Sequence, residues 1–374
     1  MLEIKLHKLL NSRKSMNITL FIGSLYGGGA ERVVCNLANY LQRKGHIVDI
    51  LTMAESKRNY GLDENVHNTV LLREADRKNM FFNLIKRWKE LKKYLKESNT
   101  DCYVVLLPIT TIMLLLGKKY TNACIIAAER NDPSRYSKWK QLMLRSLAKR
   151  ADGFIFQTQE IRNWYGQSVE DEKAVVIPNA INPAFIKPVF TGKKEKTIVG
   201  VGRLTEQKNF SMLIESFAEV HKKFPDYQLI IYGDGPLKES LIAKATELGI
   251  ADNVNLPGNE KDIISKLESA SMFVLSSKFE GMPNALMEAM ALGLPCVSTD
   301  CGGGGARFLI DNNVNGLLVQ NENVDELANA MMKLLNDEEL AGKLAAEAHK
   351  ISEKLAPDVI YSKWENVIKA SRGE

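Results

Sequence analysis

The chain has 374 residues, 45% apolar and 25% charged. That is too long for one typical domain and too apolar for a disordered or fibrous class. Five scattered cysteines, none in a C-x-x-C pair, exclude a zinc ribbon and a disulfide framework and fit a reducing cytoplasm.

The net charge of +5 is unevenly spread: residues 1–190 carry 30 Lys+Arg against 18 Asp+Glu, and the remainder 20 against 27. The first half is therefore expected either to meet an anionic surface or ligand, or merely to carry solvated faces of one sign. No apolar run has transmembrane length. Residues 1–15 lack the apolar centre of a secretory signal and read as a basic lead or a start placed too early. The expected location is cytoplasmic, with peripheral contact on an inner membrane face.

In chain order, residues 18–22 form an apolar run that breaks into the glycine-rich turn 23–29. A helix follows over 30–43, with Val33, Val34, Leu37 and Leu41 on one side and Gly45 closing it. Further apolar runs lie at 47–52, 66–72, 102–107, 123–128, 154–158 and 174–177. Unalternating strands separated by helices predict a parallel sheet covered on both faces. A turn-rich break at 178–183 and a basic linker at 187–196 precede a second series of strands, at 197–201, 228–232, 254–258, 272–276 and 295–299. The chain is helical from Asp325 onward, and its last helix, 357–370, carries the stripe Ile360, Tyr361, Trp364, Val367 and Ile368. The expected fold is α/β, with two doubly wound Rossmann-like domains facing a cleft: 1–187, 188–356, and a C-terminal helix 357–374.

The central stretch is Phe279-Glu280-Gly281-Met282-Pro283-Asn284-Ala285 through Glu288. It lies beyond a strand's carboxyl end, where ligands bind in open α/β sheets. A helix opening at Pro283 would offer its free N–H groups to an anion, between two carboxylates suited to sugar hydroxyls. Gly202-Arg203-Leu204 with Lys208 lies on the same expected edge. Arg can fork onto a phosphate and Lys adds a point charge, so the pair suits a diphosphate, although a solvated loop would also carry such residues.

The glycines 27–29 and 302–305 read as anion-binding turns or as plain turns, and Gly233-Asp234-Gly235-Pro236, after a strand, reads as a turn. Asp49, about twenty residues beyond Gly28, is placed as a ribose-binding acid would be, but the G-x-G-x-x-G spacing is absent. Glu129 and Asp132 are acid or base candidates and Arg130 is a phosphate candidate. Alternatively, Asp132 caps the turn at Pro133. All five histidines fall away from the expected crevice loops, and no Asp-x-Asp pair is present to hold a metal.

Residues 77–98 form a basic amphipathic helix, with Phe81, Leu84, Ile85, Trp88, Leu91 and Leu95 at helical spacing. Residues 138–150, with Trp139, add to it. Either the stripe packs inward, or it faces an anionic membrane.

Together these motifs resemble the retaining nucleotide-sugar glycosyltransferases of family 4, with the GT-B fold, over nearly the whole chain after Met16. Glu280 through Glu288 matches their E-x7-E signature. Gly202-Arg203-Leu204 with Lys208-Asn209 matches their phosphate loop, Gly27 to Arg32 their first loop, and Gly316 to Val319 their late strand.

The resemblance implies that Arg203 and Lys208 neutralise a donor diphosphate, with Glu280 on the donor sugar and Glu288 on the ribose. The backbone from Met282 and Pro283 to Asn284 and Ala285 would meet the phosphates. Gly28 and Gly29 would border the diphosphate, and Gly233 and Gly258 the base. It implies no cofactor and no metal. The partners would be a nucleotide-diphosphate sugar, leaning to a UDP-sugar, and a saccharide or lipid-linked acceptor. Many members carry a histidine where this chain has Glu129 to Asp132, so the acceptor-side base is open between that loop, with Asp132 as its catalytic candidate, and the leaving phosphate itself, whose charge Arg203 and Lys208 would stabilise. An epimerase, a non-catalytic nucleotide-sugar-binding protein and a nicotinamide oxidoreductase remain competing readings; nucleic-acid binding is not expected.

Overall fold

The computed structural model describes residues 15–26, 29–55, 61–73 and 80–372. The basic lead before Ser15 and the glycines 27 and 28 lie outside the described residues. Two parallel sheets, each covered by helices, form two Rossmann-like domains.

The first sheet has seven strands: β1 (Asn17–Ile22), β2 (Ile47–Thr52), β3 (His67–Val70), β4 (Cys102–Leu106), β5 (Cys124–Glu129), β6 (Gly153–Phe156) and β7 (Ala174–Val176). Their order is β3-β2-β1-β4-β5-β6-β7. The second has six: β8 (Thr197–Val201), β9 (Gln228–Tyr232), β10 (Val254–Gly258), β11 (Met272–Leu275), β12 (Cys296–Thr299) and β13 (Leu317–Val319), in the order β10-β9-β8-β11-β12-β13. Central strands are buried along their length, as in β5 and β11. That is why they read as apolar runs rather than as alternation.

Strand order reverses between β1 and β4 in one sheet and between β8 and β11 in the other. Reversal sends consecutive crossovers to opposite faces and leaves a crevice beyond the carboxyl ends. The two crevices face each other. In the second domain it is flanked by the loops after β8 and β11, which carry Lys208 and Glu280.

The chain crosses between domains twice. The outgoing segment follows β7, and the returning one precedes the helix Pro357–Ala370, which packs on the first-domain helix Gly29–Arg43. The two crossings lie side by side, with the Ile181 N–H donating to the Leu355 carbonyl at 3.0 Å. Glu365 of the last helix receives hydrogen bonds from Tyr40 and Lys369 and faces His46 Nε2 at 3.3 Å. His46 Nδ1 accepts from the Met16 N–H, so Nε2 carries the proton and donates to Glu365.

Trp364 is fully buried, and the Arg130 guanidinium lies 5.4 Å from its ring centroid. The Trp364 indole N–H has no acceptor among the described residues, so shape and stacking hold it in place. Trp364→Ala should therefore cost about 3–5 kcal/mol in urea unfolding, whereas Trp364→Phe should retain most of the stability.

Candidate active site

A cavity of about 400 Å³ lies between the two crevices. From the second domain it is lined by Val201, Gly202, Lys208, Glu280, Gly281, Met282, Asn284, Ala285 and Glu288, and from the first by Gly29, Ala30, Arg32, Val33, Arg130, Asn131, Gln157 and Asn179. Its size suits a small-molecule ligand.

Two helix N-termini meet across it. A Cβ built on Gly29, which opens the helix Gly29–Arg43, would lie 3.0 Å from Asn284 Nδ2, at the start of the helix Asn284–Ala291. Free N–H groups and two macrodipoles thus face one space, which favours an anion. Pro283 is the residue before that helix: its ψ of 96° is extended, so helical hydrogen bonding starts one residue later than the sequence suggests.

Lys208 Nζ donates to Glu280 Oε1 at 2.6 Å, and Ser277 Oγ donates to the same oxygen at 2.9 Å. Glu288, eight residues on, forms an ion pair with Arg32 of the facing domain at 2.7 Å. Burial pushes the Glu288 carboxyl above the usual range, and Arg32 opposes that shift. The domains also meet where Asn179 Nδ2 donates to Asn284 Oδ1 at 2.8 Å and Thr158 Oγ1 donates to the Gly303 carbonyl at 2.8 Å.

Arg130 is buried on the first-domain wall. It donates to the Ile177 carbonyl and to Asn179 Oδ1. Burial lowers its pKa to about 10, while Tyr361 and Glu129 oppose the shift.

Not every expected residue reaches the cavity. Arg203 is exposed at the rim beside Gly202. Gly233 and Gly258 end strands farther along the same edge, joined by a hydrogen bond from the Gly233 N–H to the Gly258 carbonyl at 2.8 Å. Asp132, expected as an acid or base, is not on the cavity wall. Its side chain accepts from the Ser134 N–H at 2.9 Å and caps the short 3-10 turn Pro133–Arg135. Glu129 is fully committed too: its carboxylate accepts from the Tyr136 and Tyr165 hydroxyls and the Arg130 N–H. Asp49 lies inside β2 and accepts from Thr69 Oγ1 at 3.0 Å, so it is no ribose acid at a strand end. Gln157 and Asn179 were not singled out by sequence, and Arg32 stood in the first-loop motif without a role; their contribution comes from the way the domains meet.

The glycine run 302–305 is neither a loose turn nor an open nest. It is a bed for the Glu280 loop. The Glu280 N–H donates to the Gly302 carbonyl at 2.8 Å. A Cβ on Gly303 would fall 2.0 Å from the Glu280 carbonyl oxygen, and one on Gly305 would fall 2.0 Å from that of Gly281. The second phosphate-loop candidate rests on a similar bed: a Cβ on Gly233 would lie 1.9 Å from the Gly202 carbonyl oxygen, and one on Gly235 would lie 2.4 Å from that of Leu204.

Residues 27–185 match the family model Glycosyltransferase Family 4, and residues 182–351 match the model Glycosyl transferases group 1. The chain is a glycosyltransferase of the family 4 type. An uncharacterized glycosyltransferase of Haemophilus influenzae is 28% identical over 353 residues, covering 93% of this chain and 97% of that one. A Campylobacter jejuni protein, GalNAc-alpha-(1->4)-GalNAc-alpha-(1->3)-diNAcBac-PP-undecaprenol alpha-1,4-N-acetyl-D-galactosaminyltransferase, is 28% identical over 360 residues, covering 94% of this chain and 98% of that one. The crystal structure of Anabaena HepE in complex with UDP and glucose superposes with a TM-score of 0.80 at 18% identity, covering 95% of this chain and all of that one, a likeness of fold.

In this glycosyltransferase Gly303 has φ +91°, so a side chain there meets both backbone strain and the Glu280 carbonyl. Gly303→Ala is expected to lower the melting temperature by several degrees. Gly342→Ala, where nothing lies within 4 Å of the new methyl, should leave it unchanged or raise it.

Proposed function

We propose that the cavity holds a UDP-sugar and that the enzyme transfers its sugar, with retention of configuration, to a saccharide or lipid-linked saccharide in glycan synthesis. The observation that carries this reading is the convergence of Lys208, the two facing helix N-termini and the two acids Glu280 and Glu288 on one cavity of about 400 Å³. A diphosphate matches the N–H groups and Lys208, with Arg203 able to reach in from the rim. Glu280 and Glu288 then accept from hydroxyls of the transferred sugar and of the ribose. The HepE complex with UDP and glucose and the N-acetylgalactosaminyl name of the Campylobacter relative support a UDP-sugar and a lipid-linked acceptor.

The first-domain wall supports retention. Its polar residues at the cavity are Arg32, Arg130, Asn131, Gln157 and Asn179, cations and amides that cannot take a proton at neutral pH. With Glu129 committed to its donors and Asp132 capping a turn, the departing phosphate is the available base. The C1–O bond to the diphosphate breaks, and the acceptor oxygen bonds to C1 on the same face. The acceptor proton passes to a phosphate oxygen, while Lys208 and the helix N-termini stabilise the growing negative charge. On this reading no metal is required.

Glu280 is tied to Lys208, and Glu288 to Arg32. A bound donor would exchange these ion pairs for phosphate and ribose contacts.

UDP-sugars are expected to raise the melting temperature where GDP- and ADP-sugars do not. Lys208→Ala should lower kcat by about 100-fold or more, and NMR of the product should show an unchanged anomeric configuration. Conversion of the donor as fast without acceptor as with it would favour an epimerase instead, and no shift with any UDP-sugar would remove the donor assignment.

A further inference from the structure

The basic helices of the first domain divide into an inward part and an outward part. In the helix Met80–Glu97, Leu91 and Leu95 are buried in the core between this layer and the sheet, together with Ile112 to Leu115, Leu144 and Leu147. The same helix leaves Leu84 at 51% and Ile85 at 49% exposure. In the helix Lys138–Ala148, Trp139 is 54% and Leu142 is 70% exposed. Core packing therefore accounts for only part of the apolar stripe.

Topology brings the outward residues to one place. The connections β3 to β4, β4 to β5 and β5 to β6 all step in the same direction across the sheet. With right-handed crossovers their helices share one face, and the common core confirms it. Each helix begins beyond the carboxyl end of the preceding strand. Leu84 and Ile85 fall in the second turn of one helix, and Trp139 and Leu142 in the first turns of another. The helix Pro108–Gly117 packs between them. The four side chains thus sit at the carboxyl edge of the sheet, the edge on which the cavity opens.

Charge selects the occupant. The segments 80–97 and 138–150 hold eleven Lys+Arg against two Asp+Glu, and the second holds no acid at all. Lys138 flanks Trp139, and Lys140 Nζ stands 5.6 Å from the Trp139 ring centroid. Exposed Trp and Leu among cations match the interface of an anionic bilayer: the ring and aliphatic tips enter the headgroup boundary and the ammonium groups meet lipid phosphates.

We infer that Leu84, Ile85, Trp139 and Leu142, with Lys138 and Lys140, form a docking surface for an anionic lipid bilayer on the lip of the cleft. Docking there presents the cleft mouth to the membrane plane, so a lipid-linked saccharide would enter from the side while the nucleotide enters from water. The surface itself does not depend on the identity of the donor.

The test is co-sedimentation of the whole protein with phosphatidylcholine vesicles, with and without phosphatidylglycerol. Binding is expected only with phosphatidylglycerol, accompanied by a blue shift of tryptophan emission that Trp139→Phe abolishes. Trp139→Ala with Leu142→Ser should weaken binding at least about tenfold, and Lys138→Glu with Lys140→Glu should do the same, both with an unchanged melting temperature. The proposal is overturned by absent or lipid-independent binding, by variants that bind as the parent does, or by a self-association of the free protein that the apolar variant abolishes, which would make the patch a subunit contact. These measurements need no turnover, so their outcome is independent of whether a UDP-sugar proves to be the donor.

Discussion

The site depends on backbone packed against backbone. Two loops carry the acidic and cationic residues of the second domain, and each lies directly on glycines from the end of a neighbouring strand. The Gly302–Gly305 turn beyond β12 supports Glu280 and Gly281, and Gly233 and Gly235 beyond β9 support Gly202 and Leu204. Parallel strands end at the same level, so the loops leaving their carboxyl ends must crowd together. A side chain at any of these contacts would push a loop toward the cavity or away from it. Removing the Cβ atoms lets the loops settle, and this places Lys208 2.6 Å from Glu280.

The remaining contacts are of a different kind. The domains meet across the cavity through polar pairs, Arg32 with Glu288 and Asn179 with Asn284, and Arg135 lies 4.7 Å from the Phe279 ring centroid. The polar pairs are largely buried, so each polar group that gives up its partner must find another, and ligand hydroxyls and phosphates can supply one. The last helix works oppositely. It inserts Trp364, Ile360 and Ile368 into the core shared with the first domain and stacks Trp364 on Arg130 from behind the cavity. The wall facing the ligand is therefore braced by residues from the far end of the chain.

The strand runs and the E-x7-E stretch were legible in sequence because each is local. Apolar runs mark buried parallel strands, and a carboxylate pair eight residues apart brackets a strand end and a helix start. Asp132 was ambiguous for a physical reason: an Asp before Pro has the same chemistry whether it faces a cleft or caps a turn, and only the Ser134 N–H beneath it decides. The glycine run 302–305 misled because its partner, the Glu280 carbonyl, lies more than twenty residues away. Gln157 and Asn179 join the site, and Arg32 of the first-loop motif gains its partner Glu288, only because the two domains face each other, and no local pattern encodes that. The basic amphipathic helix proved divided along its length, inward at Leu91 and outward at Leu84, a distinction that helical spacing alone does not draw.

The paired crossings between the domains have a mechanical meaning. A single connecting strand is a swivel, free to bend and to twist. Two strands tied side by side by the Ile181 to Leu355 hydrogen bond behave as a strap hinge: bending across the pair is easy, while twisting would shear the bond. Any hinge motion between the domains would have to bend both crossings together, and such motions need only a few residues to absorb the change. Because the last helix anchors the strap to the first domain, a bend there would keep the two helix N-termini on one line of approach.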